Sequence, residues 1–317
     1  MGIKSSIIQK SNLLKTMARI PSYFWSKKII EYNLDLSQID FSQYDDRLFV
    51  REAGIKIGRD KHDFILQSVN FIRELKDKVG MSLRMDNDEV YAKVEDVTFN
   101  IQTWEEFLIL KEIYIDGIYN IITPNPIVIL DIGMNTGFAS LFFASQPHVL
   151  SVLSYEPLER TYNQALNNFI LNSEIAKKIK PHNFGLSNST ETLTVDYCYE
   201  FKGSVGVDGL AGWIDTDYEV TKESLSLVSI SEVTEHIFQN FPGVDIFAKI
   251  DCEGSEYKII EALSLSRQLG KLKGILVEWH DCQRNSSLKN CLLEARFSII
   301  SLTPHSKTIG MIYASRL

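Results

Sequence analysis

Six side chains standing at or just beyond the ends of apolar runs carry most of the chemistry this 317-residue sequence can offer: Asp131, Glu156, Asp251, Glu253, Glu278 and His280. A carboxylate can accept hydrogen bonds from a polar ligand, balance a cation or take a proton, and an imidazole is poised for proton transfer near neutrality. Asp131 lies in the run Ile127-Val-Ile-Leu-Asp-Ile132 and precedes a turn bracketed by Gly133 and Gly137. Missing Cβ atoms there permit positive φ and let a ligand approach the backbone. Glu156 follows Gly137 by 19 residues and ends the next apolar run. An acidic side chain at the end of a second strand is placed to accept both hydroxyls of a ribose. Asp251-Cys-Glu-Gly-Ser-Glu256 repeats the strand, turn and helix pattern, and Val277-Glu-Trp-His280 sets Glu278 and His280 on one face of a further strand end. Strand parity also puts Lys249 beside Asp251, where it either pairs with the acid or extends to water. Taken singly, each feature also fits an ordinary loop acid, turn or structural hydrogen-bonded pair. Their combination favours a binding crevice.

The elements that must hold these residues follow from the apolar pattern. Five short apolar runs, at residues 127–132, 150–156, 181–186, 244–251 and 273–280, alternate with stretches of helical spacing. That order predicts parallel strands with helical crossovers. The closing runs at 296–302 and 308–314 are joined by a short polar turn containing Pro304, so they must be antiparallel. The predicted fold class is α/β: a Rossmann-like, mostly parallel sheet with a C-terminal antiparallel hairpin, plus an N-terminal helical and β-ribbon extension. Between the third and fourth runs, residues 192–197 and 225–230 have strand character. The glycine-rich stretch 202–212 between them reads as either a substrate-covering loop or a plain surface excursion. Upstream, residues 64–78 read as a helix, 81–102 as a small ribbon, and 104–119 as a helix whose N-cap is Thr103 with Glu106 completing a capping box. Two regions are expected: an accessory helical region at 1–80 and a catalytic domain at 81–317.

Composition narrows the partners. With 33 Lys and Arg against 41 Asp and Glu, a net charge of -8 leaves no general basic footprint, so no nucleic-acid partner is expected. Cys198, Cys252, Cys282 and Cys291 show no metal-finger spacing and suit reduced thiols filling a core. With no apolar span and no secretory leader pattern, the expected location is cytoplasmic. Residues 1–30 hold Lys4, Lys10, Lys15, Arg19, Lys27 and Lys28 and no acid. Leu13, Met17, Ile20 and Phe24 recur there at helical spacing, interrupted by Pro21. This basic stripe either makes a peripheral contact with an anionic membrane or packs on its own domain. Met1-Gly-Ile-Lys-Ser-Ser6 meets a loose myristoylation pattern by coincidence. Oligomeric state is not legible.

Four of these segments together resemble the FkbM type of S-adenosylmethionine-dependent methyltransferase. Asp131-Ile-Gly-Met-Asn-Thr-Gly137 looks like that family's cofactor loop and Tyr155-Glu-Pro157 like its ribose-binding strand end. Lys249-Ile-Asp-Cys-Glu-Gly-Ser-Glu256 looks like its most recognisable block, and Val277-Glu-Trp-His280 matches a fourth segment. The likeness runs over about residues 104–314, with Glu112 and Tyr119 in the preceding helix, and leaves 1–80 outside. It implies S-adenosylmethionine as cofactor, with Gly133, Asn135 and Gly137 against its methionine end, Asp131 and Asp251 nearby, Glu156 on the ribose and Ser187 beside the adenine. It further implies O-methylation of a small-molecule or glycan acceptor: a sugar, a glycolipid or a natural product. The acceptor hydroxyl must lose a proton, for which His280 is the first candidate and Asp251 the second, with Asp251 alternatively balancing the sulfonium. Glu253 either joins this catalytic group or anchors the turn at Gly254, while Glu256 reads as part of the following helix. Asp251, Glu253, Glu278 and His280 also offer donors for a divalent metal, yet no metal-specific spacing is present and no metal ligand is assigned. A non-catalytic cofactor- or carbohydrate-binding module on the same fold is the competing expectation. A nicotinamide cofactor is disfavoured by the missing G-x-G-x-x-G.

Overall fold

Ile127–Ile132 (β1) is apolar enough to be covered on both faces, and all six of its residues are buried. A strand of this kind belongs at the centre of a parallel sheet. The computed structural model describes residues 12–42, 45–59, 61–207, 209–210, 218–280, 285–301 and 309–316, the side chains of residues 285 and 301 excepted. The myristoylation-like hexapeptide, the glycine-rich positions 208, 211 and 212, Cys282 and the turn around Pro304 lie outside the described residues.

Around β1 the sheet holds Val149–Tyr155 (β2), Ile179–His182 (β3), Asp245–Ile250 (β4), Gly274–Trp279 (β5), Ser298–Ser301 (β6) and Gly310–Ser315 (β7). Their spatial order is β3-β2-β1-β4-β5-β7-β6. The first five pair in parallel. β7 runs antiparallel to both β5 and β6. The expected mostly parallel sheet with its closing hairpin is therefore present, and the hairpin enters so that its second strand, not its first, joins the sheet. This departs from the 3-2-1-4-5-6 order of dinucleotide-binding sheets. Strand order still reverses at β1, and the crevice beyond the carboxyl ends of β1 and β4 is where such folds place ligands.

Helices Phe138–Ser145 (α1), Glu159–Leu171 (α2), Ile230–Asn240 (α3), Glu256–Leu265 (α4) and Asn285–Glu294 (α5) accompany the sheet. On one face Val128, Leu130, Ile246, Ile250, Ile275 and Val277 pack with Ile237, Ile260, Leu263 and Leu292 into one hydrophobic core cluster. Each such aliphatic side chain contributes about 1.5–3 kcal/mol on burial.

The third expected strand at 181–186 is corrected by the structure. It is two strands in two sheets: β3, and Gly185–Ser187, which pairs in parallel with Val220–Ser229. Asn183 leaves the strand to donate from its side chain to the Glu156 carbonyl at 3.0 Å. A Cβ at Gly185 would stand 2.7 Å from the Leu227 side chain of its paired strand and 3.2 Å from Pro157, so this glycine leaves room for both. Glu191–Cys198 completes that sheet antiparallel to Val220–Ser229, in the region where strand character was expected.

The chain forms two compact units, Met1–Gly117 and Ile118–Leu317. The expected boundary before Met81 falls inside the first, which holds the ribbon and the helix after it. That unit carries more strand than its polar sequence predicts: Ile39–Ser42, Arg47–Val50 and Ile55–Ile57 form an antiparallel sheet. The ribbon Ser82–Asp86, Glu89–Val94 and Val97–Ile101 turns at Asn87 and Asp88, whose φ values of 49° and 63° fit a two-residue hairpin loop. The helix expected at 64–78 breaks at Ser68 into Phe64–Gln67 and Val69–Val79. At Trp104–Lys111 the Glu106 carboxylate accepts from the Thr103 backbone N–H at 3.2 Å, one arm of the expected capping box. Of the N-terminal apolar stripe, Ile20 is buried and Leu13, Met17 and Phe24 are half-buried, so part of it is spent within the fold. Among the described residues no helix is long and apolar enough to cross a membrane.

Candidate active site

Two turns, one after β1 and one after β4, lie side by side because their strands are hydrogen-bonded in register, with Lys249 opposite Asp131 and the Asp251 N–H donating to the Ile132 carbonyl at 3.1 Å. After β1, the chain turns through left-handed backbone at Gly133 (φ 80°), Asn135 (φ 51°) and Gly137 (φ 83°). A Cβ at Gly133 would fall 1.7 Å from the Asp251 carbonyl oxygen, so only glycine lets the two turns touch. Glu156, just past β2, holds this turn: one carboxylate oxygen accepts the Asn135 N–H at 2.9 Å and the other the Leu158 N–H at 3.0 Å. Burial pushes the Glu156 carboxyl up to about 7, against the opposing effect of those two N–H groups.

The second turn has a parallel construction. Glu253 adopts φ 49° and Gly254 φ 106°. The fully buried Glu256 accepts the Gly254 N–H at 2.7 Å on one oxygen and both the His280 N–H and the His280 ring Nδ1 at 3.2 Å on the other. His280 Nε2 faces Glu253 Oε1 at 3.3 Å. Burial alone would lower the imidazole, but the hydrogen bonds to Glu253 and Glu256 outweigh it and hold His280 up at about 11.

Behind both turns sits Lys249, 2% exposed, donating to the Gly133 carbonyl at 2.5 Å. Its ammonium lies 3.3 Å from Asp131 Oδ1 and 3.5 Å from Asp251 Oδ2. Ser140 donates to the other Asp131 oxygen at 2.5 Å, and the Tyr119 hydroxyl donates to Asp251 Oδ2 at 2.9 Å. Burial raises the Asp131 carboxyl; at Asp251 burial acts the same way, but the Lys249 and His280 charges and the Tyr119 hydrogen bond overcome it and bring the carboxyl below its ordinary range.

These parts border one cavity of about 70 Å³, lined by Gly133, Asn135, Glu156, Asp251, Glu253 and Ser255 on the sheet side. Lys202, Gly203 and Val205–Val207 form another wall. Small-molecule sites usually span roughly 300–1,000 Å³, so the 202–207 wall closes the crevice tightly in this conformation.

A family model for the methyltransferase FkbM domain matches residues 131–291, which is 161 of the 317 residues. The chain belongs to the FkbM methyltransferase domain family. Separately, 114 residues are 28% identical to the AMB antimetabolite synthetase AmbE of Pseudomonas aeruginosa, a stretch covering 35% of this chain and 5% of that protein. Among solved structures, methyltransferase FkbM from Methylobacillus flagellatus KT has a TM-score of 0.44 at 14% identity, over 81% of this chain and 56% of its own. The human methyltransferase 10 domain containing protein gives 0.41 at 12%, over 77% of this chain and 91% of that one. This chain thus spans little more than half of the FkbM structure and a small fraction of the synthetase.

Within the FkbM domain, the structure brings most of the sequence-predicted residues together, in altered roles. Gly133, Asn135, Glu156, Asp251 and Glu253 all line the cavity. Asp131 is wholly buried behind it and acts through Lys249 and Ser140. Gly137 does not line the cavity; its missing Cβ leaves room for Phe169, 2.7 Å away, where α1 meets α2. Ser187 is also absent from the lining, being fully buried in the second sheet with its hydroxyl toward Asn188, while Gly185 and Leu186 take that place. His280 stands behind Glu253 with both ring nitrogens facing carboxylates that favour its protonated form, an arrangement that suits an orienting role better than the general-base role expected of it. Anchoring of Gly254, expected of Glu253, is done by Glu256. Asp251, Glu253 and His280 each present one donor atom within 4.8 Å of the others, but both ring nitrogens of His280 already face carboxylates, and no metal ligand is assigned.

The sequence assigned no site role to three contributors. Glu256 carried a readable signal, an acid two residues beyond a glycine turn at the start of a helix. Tyr119 precedes Asp251 by 132 residues, and only the fold joins them. Lys202, 4% exposed with its ammonium on the Gln164 carbonyl at 2.6 Å, had no motif.

Proposed function

We propose that this chain is an S-adenosylmethionine-dependent O-methyltransferase whose acceptor is a hydroxyl of a sugar, glycolipid or natural product. The observation that carries the reading is the convergence of two strand-end turns on one cavity, with three carboxylates from two strand ends, Glu156 after β2 and Asp251 and Glu253 after β4, facing it. Two buried polar atoms support a ligand there: among the described residues, Asn135 Oδ1 and Ser255 Oγ have no hydrogen-bond partner, and both residues line the cavity. Such orphaned groups suit a polar guest.

When bound, the cofactor supplies an electrophilic methyl group on a sulfonium centre. Gly133 and Asn135 would offer it backbone, and Glu156 has lone pairs left for ribose hydroxyls after accepting two N–H groups. Asp251, ionised and joined to Lys249 and Tyr119, supplies negative charge. Glu253, oriented by the His280 imidazolium, is the carboxylate placed to take the acceptor's proton. Lys202–Val207 exclude water from the crevice and must move to admit ligands, which suits the covering-loop reading of the glycine-rich stretch. The enzyme's first demand is alignment of two reactants and its second is proton removal.

Calorimetry with S-adenosylmethionine and transfer of labelled methyl to a panel of sugars, glycolipids and hydroxylated natural products test this reading. Binding with transfer is expected, with Glu253→Gln cutting turnover about 100-fold, the range of general base contributions, at nearly unchanged cofactor affinity. A folded sample that binds no S-adenosylmethionine sinks the reading; one that binds it but transfers no methyl group to any acceptor points to the binding-module alternative.

A further inference from the structure

We propose that Lys249 is the positioning residue of methyl transfer, joining the ends of β1 and β4 so that the Gly133 carbonyl and the Asp251 carboxylate are held at fixed places around one site. The proposal rests on the methyltransferase reading above. Its basis is geometric. Lys249 is 2% exposed and its ammonium faces three oxygens from three sources: Gly133 O at 2.5 Å, Asp131 Oδ1 at 3.3 Å and Asp251 Oδ2 at 3.5 Å. An ammonium has three donors and no acceptor; here one donates to the Gly133 carbonyl while the charge pairs with Asp131 and Asp251. A planar guanidinium could not point at the same three atoms. The Tyr119 ring stands 5.6 Å from the ammonium while its hydroxyl donates to Asp251 Oδ2 at 2.9 Å, closing the network from the segment before β1.

Two of the three oxygens belong to cavity-lining residues, Gly133 and Asp251. Lys249 itself is not among those lining residues, so it acts through them. A lysine whose only task was to neutralise Asp131 would have no need to reach the cofactor turn. Holding the Gly133 carbonyl fixes a backbone that has no Cβ to restrain it, and holding Asp251 sets the direction of its carboxylate. The groups facing Asp251 are Lys249 on its own strand, Tyr119 before β1, and Glu278 and His280 from β5. Of these, Lys249 also touches the first turn, through the Gly133 carbonyl.

The test compares wild type, Lys249→Met, Lys249→Arg and Tyr119→Phe by cofactor calorimetry, the kcat and KM of methyl transfer, and carbon NMR titration of the Asp251 carboxyl. Tyr119→Phe keeps the ring over the ammonium and removes one hydrogen bond, so it remains informative where Lys249→Met fails to fold. For Lys249→Met, kcat should fall about 100-fold with a smaller change in KM for the acceptor, and the Asp251 carboxyl should titrate higher by at least a unit. Lys249→Arg should not restore turnover. Tyr119→Phe should lower kcat about tenfold and move Asp251 the same way by less, at unchanged melting temperature. Wild-type turnover and an unmoved Asp251 titration in folded Lys249→Met or Tyr119→Phe would overturn the positioning role and leave the methyltransferase reading standing. A wild type that neither binds S-adenosylmethionine nor transfers a methyl group overturns that reading and this proposal together, even where the carboxyl titration shifts as expected.

Discussion

The turns after β1 and β4 use the same parts and spend them differently. Each has a non-glycine residue in left-handed backbone, Asn135 or Glu253, next to glycines of positive φ, and each is pinned by a glutamate accepting a turn N–H. In the first turn the glutamate is Glu156, which comes from the neighbouring strand end and still lines the cavity. In the second it is Glu256, which belongs to the turn's own helix, is fully buried and spends its other oxygen on His280. A carboxylate that retains access to the crevice can serve a ligand. One enclosed on all sides can only shape the backbone. Similar sequences at two strand ends thus divide into a half whose glutamate stays open to the cavity and a rigid half.

The largest expected effect is on the rigid half. Glu256→Ala strands the Gly254 N–H and the His280 imidazolium in a buried setting, and removing one partner of a buried pair costs about 3–5 kcal/mol. Chemical denaturation should show that loss; a change within error would break the distinction between the halves. Gly133→Ala comes next. Its methyl would meet the Asp251 carbonyl in strained backbone, which costs about 1–3 kcal/mol, and calorimetry should find cofactor binding abolished. Glu156→Gln should instead show itself in affinity, about tenfold or 1.4 kcal/mol, with a smaller change in melting temperature. Because burial sets Glu156 at about 7, wild-type cofactor affinity should weaken as pH falls through 7, where the proton occupies a lone pair, and the glutamine variant should lack that dependence. A Glu156→Gln protein that loses stability alone would make the two turns equivalent.

Smaller effects sharpen the comparison. The His280 imidazolium, held at about 11 by Glu253 and Glu256 against an ordinary 6.5, contributes stability that is full below the unfolded value and lost as pH rises through 11. Thermal melts from pH 6 to 11 should decline more steeply for wild type than for His280→Asn. Smallest of all, Gly206→Ala would set a Cβ 1.8 Å from the Glu253 carbonyl and displace the wall of the cavity. A several-fold change in KM at nearly constant melting temperature is expected, and stopped-flow binding measures it.

Much of this was legible before any coordinates. The runs at β1 and β4 announced themselves by continuous β-branched residues followed by glycine, and the closing pair by a connection too short for a crossover. The turn and strand-end residues that line the cavity stood out by spacing and by family likeness. What escaped was set at long range. Nothing in the order of residues says that Gly137 answers to Phe169, that Ser187 turns into a second sheet, or that Tyr119 reaches Asp251. The surroundings of His280 were hidden for a related reason: the type of side chain indicated its chemistry, but two carboxylates from another segment, Glu253 and Glu256, face both ring nitrogens.

The placement of β7 has a consequence for how the molecule is made. It lies between β5 and β6, so β6 can join the sheet only through a strand that follows it in the chain. The sheet therefore cannot grow outward one strand at a time. The hairpin of β6 and β7 can form by itself, its contacts being local, and must then dock as a unit against β5, a step with a longer loop to close. Until that docking, the open edge of β5 is exposed to pairing with other chains, so Val277 and its neighbours mark the place where a slow-folding copy of this protein would begin to aggregate.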